Sequence, residues 1–242
     1  GLGVSWQRME AEYVRRAAIG TIPVGALGNQ PMNQYLSTLD ASSDAWGWNI
    51  GALFNLSDST RLGVAYRSKI KHTLKGDLTV EGPSALVGGA LSSDAEAEVE
   101  LPDTFILSVV QRLSNQWEML GDVSWTGWSS IKTIDIVRTS GSQNGVTAQT
   151  LDAEFRDTWR VALGANYQLN DAWKLKFGVA YDQSPVRGPD TRLVSLPDSN
   201  RTWLTAGAQW KTSPASTLDF GVAYISAARS SIDNDQSAFG RG

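Results

Sequence analysis

Cysteine is absent from the 242 residues, which excludes disulfides, thiolate metal sites and a cysteine nucleophile. Histidine is nearly absent. The single one, His72, has no Ser-x-x-Lys or Gly-x-Ser-x-Gly pattern near it, and its place beside a long connection predicts a surface side chain, not a general base. No catalytic residue and no enzyme activity are expected. Charge of one sign is not in excess: the net charge is -4, and no lysine- or arginine-rich run is interleaved with aromatics, so a nucleic-acid partner is not expected. Asp233-Asn234-Asp235 opens like a calcium loop, but Ala238 occupies the glycine position and no closing glutamate follows, so neither a metal site nor a cofactor is expected. No segment approaches the run of about 18 apolar residues that a membrane-spanning helix needs, a test that strands escape. The opening GLGVSWQRMEAEY has no charged-then-apolar leader, so a secretion signal is expected to have been removed or to lie upstream.

What the chain has instead is a period of two. Side chains on a strand alternate between faces. From Trp159 one face carries Trp159, Val161, Leu163, Ala165, Tyr167 and Leu169, and the other Arg160, Ala162, Gly164, Asn166 and Gln168. After Asn170-Asp171-Ala172, Trp173, Leu175, Phe177, Val179 and Tyr181 share a face against Lys174, Lys176, Gly178, Ala180 and Asp182. That is a hairpin with a polar turn. The same plan recurs in Trp46 to Leu56 with Arg61 to Lys71, in Thr104 to Leu113 with Trp117 to Trp128, and in Thr202 to Lys211 with Thr217 to Ala227, where Pro214 belongs in the turn. With Gly1 to Tyr13 added, about nine strands are expected, an odd count that predicts a portion of a closed barrel.

Short turns at one end and long connections at the other (roughly 18–45, 72–103, 129–155 and 184–200) give the asymmetry of an outer-membrane barrel. The strands are also about twice the usual soluble length of 5 to 6 residues. Trp117, Trp173 and Trp210 sit beside short turns, and Trp46, Trp48, Trp128, Trp159 and Trp203 at far ends, which predicts two interfacial belts. The expected fold is all-β, a transmembrane antiparallel β-barrel, occupying 1–242 as a single partial domain.

In that barrel Arg61, Arg67, Arg160, Lys174 and Lys176 face the lumen, with Lys69 and Lys71 continuing the Arg67 face. Arg67, Arg160, Asn166, Lys174 and Lys176 are the candidate ligand-binding residues. Their alternative role is to neutralise lumenal acids such as Asp219, Asp182 and Glu118. The long connections AAIGTIPVGALGNQPMNQYLSTL and PSALVGGAL are apolar. Ile22, Val24, Leu27, Leu86 and Val87 are therefore candidates for capturing a hydrophobic solute, unless such residues pack on one another.

As an ordered set, WGWNIGALFNLSDSTRLGVAYRSKIKHTLKGDLTV, LPDTF, DVSWTGWSS, FRDTWRVALGANYQLNDAWKLKFGVAYDQSPV and SLPDSNRTWLTAGAQW closely resemble the FadL-type long-chain fatty acid and aromatic hydrocarbon transporters of Gram-negative outer membranes. The resemblance implies a fourteen-stranded barrel plugged by an N-terminal hatch, with this chain resembling strands five to thirteen. The hatch, the first strands and the last strand are expected to lie outside it. It also implies passive uptake of hydrophobic compounds, bound at extracellular loops and passed through the barrel of a monomeric protein in contact with outer-membrane lipid and lipopolysaccharide. The alternatives are a general porin for small polar solutes and a surface adhesin or phage receptor.

Overall fold

A computed structural model describes residues 1–16, 21–23, 29–31, 34–84, 89–194 and 196–233. The strands are β1 (Leu2–Arg16), β2 (Thr21–Pro23), β3 (Asn29–Pro31), β4 (Leu36–Asn55), β5 (Thr60–Arg67), β6 (Ile70–Glu81), β7 (Ser93–Leu101), β8 (Thr104–Arg112), β9 (Trp117–Thr126), β10 (Thr133–Arg138), β11 (Thr147–Asp152), β12 (Thr158–Gln168), β13 (Trp173–Asp182), β14 (Arg201–Ser213) and β15 (Ser216–Ala227). All but β2 and β3, which pair with each other, form one 13-stranded antiparallel sheet.

The sheet has two tiers. In the lower tier β1, β4, β5, β8, β9, β12, β13, β14 and β15 are neighbours in that order, with short turns at the bottom joining β4 to β5, β8 to β9, β12 to β13 and β14 to β15. These are the nine strands expected from the alternation. Each bottom turn is set by an early side-chain oxygen. Asn170 Oδ1 accepts from the amides of Ala172 and Trp173 at 3.0 and 2.9 Å, and Ser114 Oγ accepts from those of Gln116 and Trp117 at 3.2 and 3.0 Å.

Above it the sheet continues as β1, β4, β6, β7, β10 and β11. The connections expected at 18–45, 72–103 and 129–155 thus contain strands of their own: β2, β3 and the start of β4, then β6 and β7, then β10 and β11. Register runs through both tiers, since Arg67 opposite Thr104 and Ile70 opposite Leu101 belong to one uninterrupted pairing of β5–β6 with β7–β8. Against β4 it does not: from Ser42/Lys75 to Asn49/Arg67, seven steps along β4 (42 to 49) match eight along β5–β6 (67 to 75). The extra residue is a bulge at Ser68–Lys69, where both Ser68 N–H and Ser68 Oγ bond to the backbone of Trp48, at 2.9 and 3.0 Å.

A one-residue insertion exchanges the faces. Arg61 and Arg67 stay on the inner face, whereas Lys69 and Lys71 turn outward to pair with Glu100 and Glu98 at 2.7 and 2.8 Å. The expectation that these lysines continue the Arg67 face is therefore corrected. His72 turns inward and is fully buried, not at the surface, with its Nε2 3.4 Å from Gln7 Oε1.

Polarity inverts between the tiers, most plainly along β1, whose pleat is unbroken. Its outer positions read Leu2, Val4, Trp6, then Arg8, Glu10, Glu12, and its inner positions Gly3, Ser5, Gln7, then Met9, Ala11, Tyr13. On β4, the outer Ile50, Trp48 and Trp46 give way to Asp44, Ser42 and Asp40, while the inner face gains Ala41 and Leu39. The upper tier has a packed inner core of Leu39, Ala41, Leu74, Leu78, Ala95, Ala97 and Ile136. Its sheet curls toward this face far enough that Gln149 on β11 donates to the hydroxyl of Tyr13 on β1, at the opposite edge, at 3.3 Å.

The lower tier has no such core outside. Leu163, Phe177 and Val179 are 58%, 49% and 45% exposed on its outer face. Two aromatic belts bound that face. The upper one pairs Trp6 with Trp46 and Trp125 with Trp159, and the lower one stacks Trp173 on Trp210 at 5.3 Å and sets Trp117 4.6 Å from Tyr167. Trp128 and Trp203 leave the expected belt. Trp128 packs edge-on against Phe155 in a second core with Ile131, Ala153, Val186 and Leu193, and Trp203 lies on the inner face between Ala180 and Ile225.

Candidate functional site

The lower inner wall on β9 and β12–β15 combines small residues with a polar ladder. Ala162, Gly164, Gly178, Ala180, Gly207 and Gly221 keep it smooth. Among them Arg160 pairs with Asp122 at 3.2 Å, Lys176 with Asp219 at 2.7 Å, and Asn166 donates to Glu118 at 2.9 Å. Gln209 adds a second donor to Asp219 at 3.1 Å, and Arg201 bridges Asp182 and Asp198 at 3.3 and 3.6 Å. Three of the five lumenal candidates therefore already have partners, as the neutralising alternative anticipates.

Arg67 and Lys174 differ. Neither side chain makes a hydrogen bond or ion pair among the described residues. Arg67 lines a cleft of about 350 Å³ with Asn49, Thr104 and Ile106, just below the tier boundary. Lys174 lines another of about 310 Å³ with Arg112, Glu118, Asn166 and Gln168, beside the bottom turns. The five candidates do not converge: Arg67 is on β5, separated from the β12–β13 group by β8 and β9.

Of the loop candidates, Ile22 lies in β2, its backbone opposite Gln30 of β3. Val24, Leu27, Leu86 and Val87 lie outside the described residues. Some apolar residues of the described loops pack on each other, while Val146, Val194 and Leu196 stay exposed. Val186 and Leu193 of the connection after β13 are buried against Ile131, Ala153 and Phe155, and Arg187 Nε donates to Glu154 O at 2.6 Å.

Sequence reasoning passed over the inner face of the upper tier, where Arg15, Arg138 and Gln149 join the apolar core. Arg138 is 8% exposed and continues the alternation Ile134, Ile136, Arg138, which was visible but short. Burial pushes the guanidinium of Arg138 below its ordinary value, and that of Arg15 likewise, because removing a charge from water disfavours it.

A model of the outer membrane protein transport protein family (OMPP1/FadL/TodX) matches residues 1–241. The chain is 30% identical over 200 residues to the long-chain fatty acid transport protein of Salmonella typhi, covering 78% of this chain and 45% of that protein. It is 28% identical over 248 residues to outer membrane protein P1 of Haemophilus influenzae, covering 93% and 51%. Among solved structures, a Pseudomonas aeruginosa FadL homologue superposes with a TM-score of 0.78 at 24% identity, over 93% of this chain and 54% of that one. The Ralstonia pickettii toluene transporter TbuX gives 0.60 at 18%, over 92% and 56%. The chain spans about half the length of these relatives.

Proposed function

The chain belongs to the OMPP1/FadL/TodX family of outer-membrane transport proteins, and from that premise we propose that it forms the wall of a passive channel taking up hydrophobic compounds. The observation that carries this reading is the inner surface of the upper tier. There Leu39, Leu74, Leu78 and Ile136 face inward above the membrane, where a pore for polar solutes would gain from polar walls. These side chains are packed on one another and buried, so a hydrophobic solute would enter here by displacing them, gaining roughly 25 cal/mol for each Å² of its apolar surface then buried. The outer leaflet resists the same solute, so binding outside and transfer through the wall needs no energy source.

In this reading Arg67 and Lys174 serve as lumenal contacts for a polar headgroup, because neither side chain is hydrogen-bonded or ion-paired among the described residues. Arg160, Asn166 and Lys176 act through the ladder that holds the wall. Ile22, Val24, Leu27, Leu86 and Val87 are proposed as capture residues, and the greasy outer belt as the contact with lipid and lipopolysaccharide of a monomeric barrel. Relatives named for long-chain fatty acid transport and for toluene transport support the solute class. The test compares cells lacking the gene with cells given back its full-length form. Faster uptake of labelled oleate or toluene in the complemented cells is expected, and equal rates would contradict the proposal. Steady ion conductance in planar bilayers would point instead to a polar-solute porin.

A further inference from the structure

The edges of the upper tier are joined differently from its interior junctions. From β1 through β4, β6, β7 and β10 to β11, every neighbouring pair is held by an antiparallel backbone ladder. β1 and β11, at the two ends, share no ladder. They meet through side chains on the inner face: Gln149 Nε2 donates to the Tyr13 hydroxyl at 3.3 Å, and Tyr13 and Ala148 rest on the shared core. A cavity of about 60 Å³ lies in this seam, bounded by Arg15 of β1 on one side and by Arg138 and Gln149 of β10 and β11 on the other. Packing is therefore incomplete where the edges meet, while Leu39, Leu74 and Leu78 beside it are each only 4% exposed.

A solute that follows the inner face past this core needs the tier to part somewhere. Parting an interior junction breaks a backbone ladder and leaves its N–H and C=O groups without partners. Parting the seam breaks one hydrogen bond between uncharged groups, which water replaces at small net cost. What the parted seam exposes is the apolar core. A hydrophobic solute that covers this surface offsets the cost of exposing it, and a polar solute does not. We propose that the β1–β11 seam is the gate of the channel, opened by separation of Tyr13 from Gln149 and made selective for hydrophobic solutes by the apolar surface it uncovers. The opening is a shift between two states, driven by the solute's greater affinity for the open one. The inference rests on the channel reading and adds to it the place where the wall opens and the reason polar solutes are refused.

The experiment uses the full-length protein carrying Tyr13→Cys with Gln149→Cys across the seam, or Thr38→Cys with Thr79→Cys across the β4–β6 ladder as the reference junction. Spin labels on each pair are read in nanodiscs by double electron–electron resonance. Toluene is expected to lengthen the 13–149 distance and leave the 38–79 distance unchanged, and glucose to change neither. In cells, joining positions 13 and 149 with a short bifunctional thiosulfonate is expected to abolish most uptake of labelled toluene, and reductant to restore it. Capping both positions with a monofunctional reagent, or joining 38 to 79, is expected to leave uptake as it was. Tyr13→Phe, which removes only the hydroxyl and serves if the double variant does not fold, is expected to raise uptake about two- to tenfold, the range of one uncharged hydrogen bond. An unchanged 13–149 distance with toluene, a joined seam that admits toluene at the capped rate, or unaltered uptake in Tyr13→Phe overturns the proposal. The distance measurement needs no transport, so a seam that opens in a protein giving no uptake contradicts the channel reading alone.

Discussion

The two tiers share β1 and β4, which run through both, yet they bury opposite faces. In the lower tier Leu163, Phe177 and Val179 point outward and Arg160, Asn166 and Lys176 point inward. In the upper tier Leu74, Leu78 and Ile136 point inward, and Lys71, Lys75, Glu96 and Glu98 point outward. The sheet geometry is common to both, so the surrounding medium is what differs. Hydrocarbon wets the lower outer face and water the upper one. Where hydrocarbon stops, the strand can no longer keep its apolar residues outside, and they turn in to make a core. The belt from Trp6 and Trp46 to Trp125 and Trp159 marks the level of the exchange. β1 and β4 achieve it by changing residue type along an unbroken pleat, and β5–β6 by inserting one residue at Ser68–Lys69.

This difference can be challenged position by position. The largest effect is expected from Leu74→Ala, which removes buried volume from the upper core and costs about 2–5 kcal/mol. It would be measured as the free energy of unfolding of the full-length protein in vesicles. Next, Leu163→Arg places a charge on the hydrocarbon face and costs about 2–4 kcal/mol near mid-membrane. Thr73→Arg, an equally drastic change on the upper outer face, is expected to stay within about 0.5 kcal/mol in the same assay. Equal penalties for these two would erase the distinction between the tiers. Smallest is Lys71→Ala, whose fully exposed pair with Glu98 is expected to change the unfolding free energy less than any of the others, by an amount that shrinks as salt screens it.

The lower tier was legible because hydrocarbon outside and lumen inside impose a long period-two pattern. The stretch from Trp159 to Tyr181 states its strands, its turn and both faces. The upper tier used the same period with the sign reversed, and Ile70, His72, Leu74, Leu78 and Val80 do alternate against Lys71, Thr73 and Lys75. What hid it was the bulge. Lys69 and Lys71 follow Arg67 at even spacing and so read as the same face, which also left His72 on the wrong side. Of the lumenal candidates, the sequence identified the facing but not the pairing, because whether Lys176 meets Asp219 depends on cross-strand register, which no single strand contains. Arg138 was missed because β10 offers only three inner positions, too few to outweigh its polar neighbours.

The sharpest test of the exchange of faces uses the absence of cysteine from these 242 residues, which lets single cysteines introduced here be compared with the parent protein. Asp40→Cys, Ser42→Cys, Ile50→Cys and Ala52→Cys all lie on the outer face of β4. On intact cells a membrane-impermeant maleimide is expected to label positions 40 and 42 and to leave 50 and 52 unreacted, while a lipid-soluble maleimide reaches the latter pair. Labelling of all four by the impermeant reagent, or of none, would contradict a strand whose outer face passes from hydrocarbon into water at Trp46.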